Sequence, residues 1–108
     1  MRYTALIMNN CWLVYIIEAS DGRLYTGITN DLLRRWREHC AGRGAKFFRG
    51  RTPRSLRYLE PGHDRCSAGR REAAIKRLSR EQKFSLIASG HNRLALLAGN
   101  GRGGYGAR

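Results

Sequence analysis

The chain has 108 residues, 42% of them hydrophobic, which is enough for one modest core and too little for two. Its 21 Lys and Arg against 8 Asp and Glu give a formal net charge of +13, which favours a polyanionic partner such as nucleic acid. No run of about 18 apolar residues is present, which argues against a membrane-spanning segment, and no export signal precedes the first predicted strand.

The three cysteines, Cys11, Cys40 and Cys66, favour a reducing, cytoplasmic location, because they are odd in number and form no C-x-x-C pair. We expect them to be buried or half-buried as small apolar residues. A zinc site formed by Cys40 and Cys66 with His39 and His63 is a weak alternative, since these spacings match no common zinc motif.

Two strands are predicted first, over residues 12–18 and 23–28, because both runs are rich in aromatic and β-branched residues. Residues 20–22 form a three-residue loop between them if Gly22 takes the left-handed conformation that glycine adopts at low cost. A two-residue loop is the alternative, and it would shift the strand register by one residue.

The register decides where two tyrosines lie. With the three-residue loop, Tyr15 faces Gly27, and Tyr25 is a diagonal neighbour of Tyr15 on the same face of the sheet. We expect the missing side chain of Gly27 to leave space beside the Tyr15 ring. The two-residue loop would place the two rings on opposite faces, so a shared functional site favours the longer loop.

A helix is predicted next, with Asn30 as its N-cap and its end near Cys40. Arg35 and His39 are four residues apart and fall together along one edge of the apolar stripe of this helix. A side chain at such an edge is held by the core and still reaches a ligand, whereas Glu38 points away from the stripe. The stripe consists of Leu32, Leu33, Trp36 and Cys40.

Residues 42–53 are basic and rich in glycine, which predicts a loop with a short helical turn. Phe47 and Phe48 in this loop are expected to divide between core and surface, with stacking on exposed bases as a minor alternative. A third strand is predicted over residues 55–60, and the Pro-Gly pair that follows is expected to end it.

Two further helices are predicted, one over residues 67–78 and one that begins with a capping box at Ser79 and ends near Ser89. Residues 94–98 are predicted to add a helical turn, and five glycines among the last ten residues predict a disordered tail. The predicted division is an N-terminal extension over residues 1–10, one domain over residues 11–90 and a C-terminal extension over residues 91–108.

Residues 34–57 carry nine basic side chains and the single acid Glu38, which predicts a surface that contacts several phosphates. A basic surface that only promotes solubility is the alternative, and it is less favoured because opposite charges are not interspersed. The candidates for nucleic-acid contact are Arg34, Arg43, Lys46, Arg49 and Arg51 from this stretch and Lys76 from the helix after the third strand.

Among the eight carboxylates, Glu72 is the one that elimination leaves for a metal ion. The others are assigned to turns, caps, strand ends or the outer face of a helix, whereas Glu72 lies at the edge of the buried stripe of its helix. The alternative is an ion pair with Lys76 at i,i+4, worth roughly 0.3 kcal/mol. Composition alone favours that ion pair.

Tyrosine is a weak base in water, because its phenol has a pKa of about 10. Tyr15 would act as a base only where nearby cationic charge or a metal-bound water favoured the phenolate, and Arg35 and His39 are the candidates for that influence. For an isolated strand tyrosine, packing in the core is the commoner role. Two tyrosines on one face beside an Arg and a His favour a site.

These motifs resemble the GIY-YIG nuclease superfamily over roughly residues 12–86. Tyr15 matches the tyrosine that closes the first motif, although Leu13 and Val14 replace the usual Gly and aliphatic pair. The run Tyr25-Thr26-Gly27 matches the second motif. The resemblance implies an α+β fold, a small three-stranded antiparallel sheet flanked by helices, of the small stand-alone bacterial type.

The resemblance also implies roles for individual residues. Arg35 stands ten residues after Tyr25, where the family carries its catalytic arginine, and His39 follows one helical turn later. Glu72 looks like the glutamate that holds the metal ion in the family. Carried over, the catalytic residues are Tyr15 as general base, Arg35 as stabiliser of the phosphate, and Tyr25 and His39 as supporting groups.

The function implied is a metal-dependent endonuclease that uses a single Mg²⁺ or Mn²⁺ ion and cuts DNA, with structured or single-stranded repair intermediates as expected substrates. RNA is the less favoured nucleic acid, and a protein partner that directs the nuclease is expected because targeting domains are missing. The alternative is a DNA- or RNA-binding module with little or no catalytic activity.

Overall fold

The computed structural model describes residues 11–95, so the expectations for residues 1–10 and for the C-terminal tail lie outside the described residues. The described part has an α+β fold with one three-stranded antiparallel sheet, as predicted, in the order β2-β1-β3. The strands are β1 (Trp12–Ala19), β2 (Leu24–Thr29) and β3 (Pro53–His63), the helices are α1 (Leu32–Cys40), α2 (Arg65–Lys76) and α3 (Arg80–Ile87), and a 3₁₀ turn spans Lys46–Phe48. No helix within residues 11–95 is long and apolar enough to cross a membrane.

The β1–β2 hairpin has the predicted three-residue loop. The amide of Ala19 donates to the carbonyl of Arg23 at 2.8 Å, and Gly22 has a φ of 86°, which only glycine adopts at low cost. The register pairs Tyr15 with Gly27, which confirms the prediction. Both tyrosines therefore lie on the same face of the sheet.

The central strand β1 divides the protein into two cores. Residues 13–17 are all buried, because each face of this strand is covered. The front core contains Leu13, Tyr15, Ile17, Leu32 and Phe48, and the back core contains Val14, Ile16, Tyr58, Ala68 and Ile75.

Helix α1 differs from the predicted helix in its cap and in its orientation. Asp31 and not Asn30 is the N-cap, and its side chain accepts a hydrogen bond from the amide of Arg34 at 3.1 Å. Cys40 is exposed, while His39 is fully buried, so the prediction that His39 lies at the edge of the stripe is wrong. The cause is Phe48 of the 3₁₀ turn, whose ring centroid lies 4.4 Å from that of His39 and draws this side of the helix inward. Cys66 is exposed as well, contrary to expectation.

Strand β3 is longer than predicted, and helix α2 begins and ends two residues earlier than predicted. β3 continues through the Pro-Gly pair and pairs His63 with Trp12, which an edge strand permits because a proline there loses no ladder hydrogen bond. α2 begins earlier than predicted, because Asp64 accepts from the amide of Ser67 at 2.7 Å and caps the helix. The predicted capping box at Ser79 is confirmed.

The outer edge of β3 is covered by the segment after α3. The amide of Arg93 donates to the carbonyl of Leu59 at 2.8 Å, and Asn92 Nδ2 donates to the carbonyl of Arg57 at 2.9 Å. Asn92 Oδ1 accepts from the amide of Leu59 at 3.2 Å. These bonds satisfy backbone groups that an edge strand otherwise exposes. Asn92 and Arg93, which the sequence places in the extension, therefore bond to the edge of β3.

Candidate active site

The front face of the sheet brings together Tyr15 from β1, Tyr25 from β2 and His39 from α1. The ring centroids of the two tyrosines are 6.2 Å apart, and the centroid of Tyr25 is 5.3 Å from that of His39. Phe47 and Phe48 close this aromatic cluster from the 3₁₀ turn, each with its ring centroid 5.2 Å from that of Tyr25. Three of the four predicted catalytic residues thus share one contact network.

A hydrogen bond of 2.9 Å joins the Tyr15 hydroxyl to His39 Nε2 inside this network. Burial raises the pKa of Tyr15 well above its usual range and the charge of Tyr25 adds to this, whereas Arg35 acts in the opposite direction. Burial, helped by the charge of Arg35, lowers the pKa of His39 to about 4. At neutral pH the pair is therefore a neutral phenol bonded to a neutral imidazole.

The buried His39 predicts a loss of stability in mild acid. In the unfolded chain this side chain takes up a proton below about pH 6.5, but in the folded protein only near pH 4. The unfolded state then binds more protons, so the free energy of unfolding falls as the pH falls from about 6.5 to about 4, by up to about 3 kcal/mol. Urea unfolding at several pH values across this window measures the loss.

The matched control is the His39→Gln protein, which cannot gain this proton. Its free energy of unfolding is expected to change less between about pH 7 and pH 4 than that of the wild type. The charged and titratable groups that surround His39 are Tyr15 and Tyr25 from the sheet and Arg35 and Glu38 from α1, and all four remain in the variant. Parallel pH profiles for the two proteins would contradict the assignment of the loss to His39.

Gly27 lies directly under the Tyr15 ring. A Cβ atom at Gly27 would be 2.5 Å from the Tyr15 hydroxyl oxygen and 2.9 Å from Cε2 of Tyr25. The expectation that Gly27 leaves space beside the ring is therefore wrong, because the Tyr15 ring itself fills this space. Gly27 sets the height of the Tyr15 hydroxyl above the sheet.

Arg35 borders the aromatic cluster and is held by two residues that the sequence did not indicate. Its Nη1 donates to Glu38 Oε1 at 2.9 Å, so Glu38, which was predicted to point away from the apolar stripe, contacts a candidate site residue. This hydrogen bond holds the pKa of the Glu38 carboxyl below its usual range. Gly44, with a φ of 91°, leaves room for the guanidinium, since a Cβ there would be 2.6 Å from Arg35 Nη1. The i,i+3 spacing was the available signal for Glu38.

Glu72 lies on α2, near enough to Tyr15 for its charge to raise the pKa of that phenol after the larger effects of burial and Tyr25. Its Oε2 pairs with Lys76 Nζ at 3.2 Å, which is the ion pair considered as the alternative, and 23% of its side chain is exposed. Within residues 11–95, no three His, Cys, Asp or Glu side chains cluster as metal ligands, which also disfavours the zinc alternative. One accessible carboxylate still fits Mg²⁺, which takes most of its ligands from water and phosphate oxygens.

The predicted nucleic-acid contacts fall into two groups. The guanidinium of Arg51 is already bound within the protein, because its Nε pairs with Asp21 at 2.7 Å and its Nη1 donates to the carbonyl of Phe47 at 3.0 Å. Arg34 pairs loosely with Asp31 at 3.9 Å, and Lys76 pairs with Glu72. Among the predicted contacts, Arg43, Lys46 and Arg49 are exposed and form no ion pair within the described residues.

Known protein families and structures include several that are similar to this chain. The family model for the GIY-YIG catalytic domain matches residues 11–85. A solved structure, the solution NMR structure of the UPF0213 protein BH0048 from Bacillus halodurans, has a TM-score of 0.50 and 37% identity. The similarity covers 80% of this chain and 92% of that one.

Small proteins of the UPF0213 type are similar to this chain over most of their length. One from Halobacterium salinarum is 56% identical over 74 residues, which are 68% of this chain and 96% of that protein. One from Pseudomonas aeruginosa is 45% identical over 80 residues, with 74% and 77% of the two chains covered. The UPF0213 protein YhbQ of Escherichia coli is 41% identical over 87 residues, which are 81% of this chain and 87% of that protein. None of these relatives is named for a reaction.

Proposed function

The chain belongs to the GIY-YIG catalytic domain family, and on that premise we propose that it is a metal-dependent endonuclease that hydrolyses phosphodiester bonds in DNA. The single observation that carries the proposal is the buried hydrogen bond between Tyr15 and His39, with Arg35 beside it. A packing tyrosine does not need a histidine partner and a neighbouring guanidinium. The formal charge of +13 supports a nucleic-acid substrate.

In the proposed mechanism, Tyr15 removes a proton from the attacking water while its own proton passes to His39. This step requires that His39 carry its own proton on Nδ1 beforehand, so that Nε2 accepts the Tyr15 proton over 2.9 Å and the histidine becomes an imidazolium. Nδ1 is buried and has no hydrogen-bond partner among the described residues, which is a cost that functional sites tolerate.

Substrate binding makes His39 a better proton acceptor. Arg35 is one cause of the low pKa of His39, after burial. A phosphate bound to Arg35 would cancel much of this charge, so the pKa of His39 would rise when substrate is present. The Arg35 guanidinium interacts with Glu38 and with Tyr15, and we propose that its other N–H groups stabilise negative charge on the phosphate.

Glu72 is the residue that would hold the single divalent ion, Mg²⁺ or Mn²⁺, in place of its contact with Lys76. Such an ion supplies positive charge to the phosphate oxygens and lowers the pKa of bound water. Lys76, once released, would be free to contact a neighbouring phosphate. Its Nζ already lies 5.9 Å from the centroid of the Tyr25 ring.

Cleavage assays test the proposal directly. The wild-type protein is expected to nick or cut DNA with Mg²⁺ and not with EDTA, on single-stranded, duplex or branched substrates. The Glu72→Gln protein is expected to need at least about tenfold more Mg²⁺ for the same rate, because it keeps the shape of the side chain and loses its charge.

The control for Glu72 is Glu81→Gln, which removes one exposed carboxylate from the first turn of α3. We expect this variant to have the Mg²⁺ dependence of the wild type. Equal Mg²⁺ dependence for the Glu72→Gln protein would reject Glu72 as the metal ligand. Cleavage in EDTA would reject the metal requirement itself.

A nucleic-acid-binding module with little activity is the second candidate, and the ion pair between Glu72 and Lys76 favours it. In this case Lys76 neutralises the carboxylate permanently, and no metal ion is needed. Binding of DNA or RNA without cleavage of any substrate would support this function. The wider roles that we propose are cytoplasmic DNA repair and targeting by a protein partner.

A further inference from the structure

An open groove of about 220 Å³ lies beside the candidate active site and contributes no residue to the proposed chemistry. It is bordered by the end of the β1–β2 hairpin, the 3₁₀ turn and the first turns of α3. The residues that line it are Arg23, Leu24, Phe47, Arg80 and Lys83. Its volume is below the roughly 300 Å³ of pockets that enclose a free small molecule, so a section of a longer chain is the better fit.

The groove is lined by three cations and by no carboxylate. The side chain of Arg23 is 68% exposed, and its nearest acid, Asp21, is 3.8 Å away and is bound more closely by Arg51 at 2.7 Å. Arg80 is fixed at the groove because its Nη1 donates to the carbonyl of Gly22 at 3.1 Å. Such a lining attracts a phosphate-bearing ligand.

The floor of the groove is apolar and aromatic. Phe47 and Leu24 form it, and the Arg51 guanidinium lies 4.5 Å from the centre of the Phe47 ring and holds it in place. The Phe47 ring centroid is also 5.2 Å from that of Tyr25, so the groove is continuous with the tyrosine cluster. A nucleic-acid strand that contacts the tyrosine cluster could therefore extend over the groove.

We propose that this groove binds one unpaired nucleotide of the substrate strand next to the cleaved phosphate, with its base against Phe47 and Leu24 and its phosphate at Arg23, Arg80 and Lys83. This proposal rests on the proposed function and names its substrate class. In a duplex the faces of each base are covered by its neighbours, so an apolar floor benefits only a base outside the helix. Strands with an unpaired nucleotide beside the cut are thus the preferred substrates.

The test measures binding of labelled oligonucleotides by fluorescence anisotropy in EDTA, with a single strand and with a duplex of the same sequence. Phe47→Leu, which keeps an apolar side chain on the core, is expected to weaken single-strand binding at least about fivefold and to leave duplex binding unchanged. The double variant Arg23→Gln/Lys83→Gln is expected to weaken single-strand binding and to make it less salt-dependent. It changes only surface side chains, so it tests the groove even if Phe47→Leu unfolds.

The matched control is Arg37→Gln/Arg70→Gln, which removes the same charge from residues outside the groove. It is expected to keep the wild-type ratio of single-strand to duplex affinity. If it lowers this ratio as much as the groove variant does, or if Phe47→Leu binds both ligands like the wild type, the proposal is overturned.

The result is independent of cleavage, because binding is measured without metal. Absence of cleavage in the assays above would overturn the proposed function and leave the binding result intact. Conversely, normal cleavage by the wild type together with unchanged binding by both groove variants would overturn the proposed nucleotide-binding role of the groove. The proposed nuclease function would then still stand.

Discussion

The Tyr15→Phe protein is expected to cleave DNA about 10²- to 10⁴-fold more slowly than the wild type, which is the range that a positioned proton-transfer group contributes. The substitution removes the hydroxyl that contacts His39 Nε2 at 2.9 Å and leaves the ring, which fills the space above Gly27. Nucleic-acid binding in EDTA is expected to persist, because the cationic side chains are unchanged. Single-turnover cleavage with excess protein measures the rate of the chemical step.

Tyr58→Phe is the matched control, because Tyr58 in β3 is as buried as Tyr15 but lies in the back core, on the other face of the sheet. Its hydroxyl donates to the Glu60 carboxylate and has no contact with the front core. Tyr15→Phe loses a buried hydrogen bond worth about 1 kcal/mol, and Tyr58→Phe loses a partly buried bond to a carboxylate worth about 1.5 to 3 kcal/mol. Only the Tyr15→Phe protein should lose cleavage activity. Equal cleavage rates for the two variants would show that Tyr15 has no role in the chemical step.

The Gly27→Ala protein is expected to cleave about 10²-fold more slowly, although residue 27 bears no functional group. The new Cβ would be 2.5 Å from the Tyr15 hydroxyl oxygen and 2.7 Å from Cζ of the same ring, so the ring has to move. A displacement of about 1 Å at a reacting group costs roughly this factor in rate. Folding should survive, because residue 27 is paired in β2 and the change adds one methyl group.

The control for this methyl group is Gly69→Ala in α2, where a Cβ would meet no atom within 4 Å. Alanine is favoured over glycine in a helix by up to about 1 kcal/mol, so this protein is expected to be slightly more stable and fully active. The double variant Tyr15→Phe/Gly27→Ala gives a further check. If Gly27 acts through Tyr15, the double variant should be no slower than Tyr15→Phe, and additive losses would show a separate effect.

The hairpin is the part of the site that local patterns predicted well. A loop ended by Gly22 allowed two registers, and a shared site for the two tyrosines favoured the observed one, which places Tyr15 opposite Gly27 and beside Tyr25. The presence of the hairpin and the position of its loop depend on residues within a few positions along the chain, so the sequence predicts them directly. The capping box at Ser79 was predictable for the same reason.

The orientation of α1 was not predictable from its own residues. Its helical pattern alone gave Cys40 a buried position and His39 an edge position, yet His39 is buried and Cys40 is exposed. The difference arises from Phe48, which packs on the His39 ring from outside the helix. Helical periodicity identifies the apolar side of a helix. The element that packs against this side decides how the helix is rotated about its axis, and this rotation can change which of two neighbouring residues is buried.

The sequence by itself determined a basic α+β domain, a hairpin with two candidate registers, and the set of polar residues that match the GIY-YIG motifs. Only the tertiary structure decided that Tyr15 bonds to His39, that Gly27 supports the Tyr15 ring, and that Glu38 and Gly44 hold Arg35. The physical reason is the range of the interactions. Strand pairing and caps follow from neighbouring residues, whereas a buried contact between residues 24 positions apart forms only when a sheet and a helix close on the same core.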